Sequence, residues 1–148
     1  MMFYFTKILF LPIVFTLIDC CSSTSSKNIY SIGIKGIFTC NGVPKDNVEI
    51  QLYDKSIIGK DKEIANGVSD PKGRFGIRAN KKIILGNFEP YYVVIHNCEN
   101  SNQLCKRKFS EKINKKYIEN DFKAYNIYDA GVIELSTKRP KEEKYCNK

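Results

Sequence analysis

The stretch YYVVIHNCENSNQLCKRKF, residues 91 to 109, decides how this chain folds. Its first half belongs to EPYYVVIHN, the most apolar segment beyond the amino terminus. Aromatic and β-branched residues there run on without alternation and predict a central strand buried on both faces. Its second half opens CKRKFSEKI, where Arg107, Phe109, Glu111 and Ile113 fall in phase and predict a basic strand. Between the two lie Cys98, Cys105 and His96, the single histidine of the chain. Three chemistries use such a set: a metal site, a thiolate and imidazole pair, or a disulfide loop. The compartment selects among them.

The chain begins MMFYFTKILFLPIVFTLIDCCSSTSSKN, with Lys7 ahead of an apolar run and small polar residues behind it. That order predicts a secretory signal peptide over residues 1–21. The uninterrupted apolar run is too short for a membrane span of about 20 residues, and Asp19 fits poorly before a lipidated cysteine. Removing the leader takes away Lys7 and Asp19 together, so the formal charge stays at +8. It also removes Cys20 and Cys21 and leaves Cys40, Cys98, Cys105 and Cys146. An even set of cysteines in a secreted chain predicts two disulfides, with three possible connectivities. A short polar linker is expected at 22–29, one domain at 30–136, and a basic tail at 137–148 tethered by a disulfide.

Outward from the cysteine segment, the pattern is that of short strands. Ile32, Ile34, Gly36 and Phe38 share one face of a first strand, and NGVPKDN follows with turn chemistry. NVEIQLYD alternates, with Val48, Ile50 and Leu52 inward. EIANGVSD is a weaker strand. DPKG, Asp70 to Gly73, and RFGIR predict a hairpin with Phe75 and Ile77 inward. YNIYDAGVIELS predicts a last strand with a break near Asp129 and Gly131, and Asn114 to Asn120 at most one turn of helix. Short strands separated by turns indicate an all-β, antiparallel β-sandwich.

Three of these stretches resemble the nematode transthyretin-like (TTL) family of secreted proteins. SIGIKGIFTCNGVPKDNVEIQLYD is similar to the family's opening, GVSDPKGRFGI to its second hairpin, and YYVVIHNCENSNQLCKRKF to its His-x-Cys segment with a second cysteine before a basic strand. YDAGVIEL is similar to its closing strand, so the likeness runs from about Ile32 to Leu135. The resemblance implies a transthyretin/prealbumin-like sandwich of Greek-key type with seven to eight strands. It further implies an extracellular binding or signalling role, no enzymatic activity and no cofactor. The chain departs from the family in being lysine-rich, with KSIIGKDKE in place of an acidic loop after the second strand.

The chemistry of the cysteine segment then narrows. Hydroxyisourate hydrolases, enzymatic cousins of transthyretin, use several histidines and a carboxy-terminal Tyr-Arg-Gly-Ser, whereas this chain has one histidine and the terminal residues KYCNK. Export to an oxidising space removes the thiolates that a nucleophile or a zinc site would need, so no catalytic and no metal residues are expected. The simplest pairing is Cys98 with Cys105, closing the loop CENSNQLC, and Cys40 with Cys146. The basic run Lys106, Arg107, Lys108, Lys112, Lys115 and Lys116 has two readings. On an edge strand, lysines block sheet-to-sheet aggregation; as a surface, they attract anionic lipid headgroups or sulfated glycans. Nucleic acid is not expected, since no stacking platform is evident. An unknown extracellular ligand or receptor is the expected partner, recognised by a monomer or dimer that is not an integral membrane protein after signal cleavage.

Overall fold

In chain order the strands are β1 (Ile29–Cys40), β2 (Val43–Pro44), β3 (Glu49–Asp54), β4 (Lys62–Val68), β5 (Arg74–Lys82), β6 (Pro90–His96), β7 (Cys105–Lys112), β8 (Tyr128–Glu134) and β9 (Glu143–Cys146). They come from a computed structural model that describes residues 28–99 and 105–146. The expected leader and most of the expected linker lie outside the described residues. The chain folds as an all-β sandwich. In one sheet β1 is flanked by β5 and β2 and, on its other side, by β8; the other sheet runs β4-β3-β6-β7-β9. Alternation fills the space between them. Ile32, Ile34 and Phe38 of β1 meet Ile50 and Leu52 of β3, Tyr92 and Val94 of β6, and Phe109 of β7 in one buried cluster.

β6 is the central strand that its composition predicts. It pairs with β3 and β7, and its outward residues Val93 and Ile95 are buried almost as fully as Tyr92 and Val94 facing the core. β3 alternates as read, with Ile50 and Leu52 inward and Glu49 and Gln51 half-buried outside. The one helical turn at Lys115–Tyr117 is 3-10, capped by the Asn114 side chain.

Three expectations are corrected. The Asp70–Gly73 turn exists, but β4 and β5 are not a hairpin within one sheet: β4 pairs β3, and β5 pairs β1. The turn is tight because the Asp70 carboxylate accepts from the backbone N–H groups of Lys72 and Arg74, and Gly73 takes a φ of 72°. Phe38 then donates its N–H to the Gly73 carbonyl, which draws Arg74 alongside Ile37 in the opposite sheet. The sandwich is not wholly antiparallel either. β8 runs parallel to β1, with its register shifting between Lys35 and Ile37. The expected break falls there: Gly131 has a φ of 65°, and its carbonyl lies so close to Gly36 that a side chain on Gly36 would collide with it. Finally, β7 is not an edge strand. The expected tail supplies β9, which pairs with it from Cys105 to Lys108 and takes the edge.

Candidate binding surface

The cysteine segment sits at one end of the sandwich, and its pairing differs from expectation. Cys40 is bonded to Cys98, and Cys105 to Cys146. The expected Cys98 to Cys105 and Cys40 to Cys146 linkages are therefore overturned. The physical reason is where β6 stops. Its register with β7 pairs His96 with Arg107, and two further residues of ladder would have set Cys98 against Cys105. The strand ends at His96 instead, Glu99 turns the chain with a φ of 58°, and Cys98 enters the core beside the end of β1. One bond thus staples the two sheets together, and the other fastens β9 to β7, where Cys146 lies directly opposite Cys105.

His96 is buried next to this staple. Its Nδ1 accepts the Cys98 N–H at 3.3 Å, its ring packs edge-on against Phe109, and its Nε2 has no hydrogen-bond partner among the described residues. Burial, and then the nearby Arg107 guanidinium, push its pKa down to about 4. Cys98 and Cys105 are both cystines, so neither offers His96 a thiolate. The arrangement is a neutral packing histidine.

Three of the six residues in the basic run are answered by acids. Lys106 pairs with Glu49. Arg107 is forked onto Glu142, with Nη2 to Oε2 at 3.0 Å, and Lys115 lies 3.3 Å from Glu89. Lys108 sits over the Tyr145 ring and Lys116 over that of Tyr117. Lys112 is exposed, with no ion pair among the described residues. β7 itself divides by alternation. Arg107 and Glu111 share the inward parity of Phe109, where Arg139 bonds Glu111 and covers the Phe109 ring, while Lys106, Lys108 and Lys112 face out.

A second concentration of charge lies at the end opposite the disulfides. The loop 55–61 between β3 and β4 and the loop 83–89 between β5 and β6 stand side by side there. Together they frame a cavity of about 650 Å³ lined by Lys55, Lys60, Lys62, Lys81 and Lys82. Both loops are built rather than slack. Ser56 donates its N–H to Asp61 Oδ1 at 2.9 Å, and the Tyr91 hydroxyl donates to the other Asp61 oxygen at 2.7 Å. These contacts hold the Asp61 carboxyl below its usual range. Lys55 N–H bonds the Glu89 carbonyl, and buried Asp54 takes Lys81 and the Glu89 N–H. Of the five lysines, only Lys81 is ion-paired among the described residues. A neighbouring cavity of about 660 Å³ is lined by Lys55, Lys112 and Lys115 among others, with Asp61, Glu89 and Glu111 as acids. The loop end therefore gathers Lys112 and Lys115 of the expected run, leaves Lys106, Arg107, Lys108 and Lys116 out of both linings, and adds lysines that reading β7 alone missed. Their signal was KSIIGKDKE, visible as a departure but not read as a site.

With this architecture in place, comparison with known proteins decides the kinship. The family model described as TTR-52, Transthyretin-like family, matches residues 35–114. The chain belongs to the transthyretin-like family. Transthyretin-like protein 2 of Caenorhabditis elegans is 35% identical over 122 residues, covering 78% of this chain and 82% of the relative. Transthyretin-like protein 5 of the same nematode is 35% identical over 120 residues, covering 80% and 86%. Among solved structures, a 9R-lipoxygenase from Cyanothece aligns at 18% identity with a TM-score of 0.40, covering 74% of this chain and 17% of that one, a likeness too weak to build on. For this transthyretin-like protein, the resemblance stated from the cysteine segment and the sandwich expected from strand patterning both hold. Among the described residues no helix is long and apolar enough to cross a membrane.

Proposed function

We propose that this transthyretin-like protein is a secreted, non-enzymatic binding protein that recognises an anionic extracellular surface, phospholipid or sulfated glycan, through the lysine-rich loop end of its sandwich. One observation carries the reading: Lys60, Lys62 and Lys82 have no ion-pair partner among the described residues and stand with Lys55, whose charge acts on Asp61, on one built end, whereas Lys106, Arg107 and Lys115 of the basic run are each matched by a glutamate and Lys108 and Lys116 lie over aromatic rings. Unmatched like charges held together raise a local positive potential that neutralised pairs do not. Two cystines and a signal-like leader support an extracellular setting. The role is that of a bridging or signalling protein able to act as a monomer or dimer.

The test is retention on heparin as a salt gradient rises. The wild-type protein should elute above physiological salt. Replacing Lys55, Lys60, Lys62 and Lys82 by glutamine should move elution to or below it. The same replacement at Lys72, Lys106, Lys108 and Lys144 changes net charge equally and should shift elution far less. Equal shifts for both sets would make the attraction one of overall charge and remove the site; wild-type elution below physiological salt would remove the polyanion reading.

A further inference from the structure

The same two loops carry a feature that charge does not explain. Ile57 and Ile58 on one, and Ile84 and Leu85 on the other, are 77%, 89%, 89% and 94% exposed. Each pair is followed by a glycine in the left-handed region, Gly59 with a φ of 91° and Gly86 with a φ of 89°. The tips touch, because a side chain on Gly86 would meet Ile57 Cδ1 at 3.4 Å. Four large aliphatic side chains thus project from adjoining turns on a framework anchored by Asp54, Asp61 and Tyr91. Other exposed aliphatics, such as Val43, Val68 and Val132, belong to separate strands. A single exposed leucine is ordinary; a grouped set at loop tips is not.

We propose that these tips are a membrane-insertion wedge, Ile57, Ile58, Ile84 and Leu85 entering the acyl boundary of an anionic phospholipid bilayer while Lys55, Lys60, Lys62 and Lys82 contact the headgroups around it. The occupant follows from the combination. A sulfated glycan satisfies the lysines and leaves the aliphatics in water. A bilayer answers both, since the exposed aliphatics and the lysines share one cavity lining, and apolar groups bordered by cations match the headgroup-to-acyl gradient. The inference rests on the basic-end reading above and selects its phospholipid form.

The chain contains no tryptophan, so Leu85→Trp installs a single fluorescent reporter at the most exposed tip position. On mixing with vesicles of phosphatidylcholine and phosphatidylserine, its emission should shift to the blue and be quenched by lipids brominated along their acyl chains. Vesicles of phosphatidylcholine alone should give neither change. Replacing all four aliphatics with serine should weaken vesicle co-flotation about ten-fold or more and leave the salt of heparin elution unchanged; the four positions are exposed, so the variant should melt with the wild type. Vesicle binding with an unshifted, unquenched tryptophan would overturn the wedge and leave the basic end standing, as would a serine variant that floats like the wild type. Loss of both heparin and vesicle binding in the wild type would overturn both. Self-association abolished by the serine changes, without vesicle binding, would assign the tips to a second copy of the chain and overturn the wedge.

Discussion

His96 shows how much a single residue's meaning depends on its surroundings. Beside two cysteines in the sequence it had the makings of a ligand or a base. Buried against Phe109 and facing Arg107 across the ladder, it is held neutral, with a pKa of about 4 against an ordinary 6.5. Because the folded pKa lies below the unfolded one, the unfolded chain binds the extra proton between them, and stability falls as pH drops through that window. Stability should be at full strength above about pH 6.5 and decline toward pH 4, by up to roughly 3 kcal/mol from this residue. Denaturant unfolding at pH 7 and pH 4.5 checks it. His96→Gln, which does not titrate, should lose less stability than the wild type over the same interval, and an equal loss in both would remove His96 as the cause. Glu134, at the same end, is held charged rather than neutral, and it too contributes stability that is lost as pH falls. Its carboxylate gathers the N–H groups of Asn41, Gly42 and Ser136 and the Thr39 hydroxyl, and bonds led by those from Ser136 hold its pKa down to about 2. The turn after β1 is thereby tied to the end of β8.

At the scale of elements, the two disulfides do separate jobs. Their half-cystines stand 58 and 41 residues apart, and on loop-closure entropy each contributes about 4 kcal/mol, more than the roughly 2.5 kcal/mol of an eight-residue ring. Replacing Cys105 and Cys146 by serine should lower stability by about 4 kcal/mol and release β9, read as early tryptic cleavage after Lys141 and Lys144. Replacing Cys40 and Cys98 should cost at least as much without exposing those sites. Non-reducing peptide maps should show the same two linkages. The connection between β4 and β5 offers a sharper probe. Gly73→Ala would place Cβ 2.3 Å from the Phe38 carbonyl oxygen at a φ of 72°, so a loss of roughly 1–3 kcal/mol is expected from strain. A neutral result would mean the crossing between sheets is looser than the contact implies. Much of this layer was legible: the strands are where alternation put them, from Ile32 and Phe38 to Tyr92 and Phe109. Their partners were less so. DPKG specifies a turn but not whether the strand after it stays in its sheet, since that depends on Phe38 and Gly73 meeting across the fold.

Across the whole molecule, the two ends divide the work. Covalent staples, the neutral histidine and the Glu134 knot gather at one; charged and aliphatic loops gather at the other. Because the ends share no hydrogen bonds or ion pairs among the described residues, their substitutions should add. Neutralising Lys55, Lys60, Lys62 and Lys82 should leave Tm within about 2 °C of the wild type, as expected for exposed positions, and leave the decline of stability below pH 6.5 in place. A large fall in Tm would show that those lysines support the loops rather than serve a surface. This division explains why the candidate surface was only half legible. A run of lysines in CKRKFSEKINKKY is conspicuous in one dimension, but Glu49, Glu89 and Glu142 come from distant parts of the chain to answer it.

By itself, the sequence determined the all-β class, the positions of the longer strands, the family, and the fact that four cysteines form two bonds. The class, the strands and the two bonds rest on local alternation, turn chemistry and parity, which act within a few residues, and the family on the resemblance of whole motifs. The tertiary structure alone decided which cysteines meet, that β8 runs parallel to β1, that the tail closes the edge of a sheet, and which lysines keep their charge unanswered. Each of those depends on which distant segments the sandwich brings within bonding distance, and pairing across a core is a property of the packed whole that no local pattern encodes.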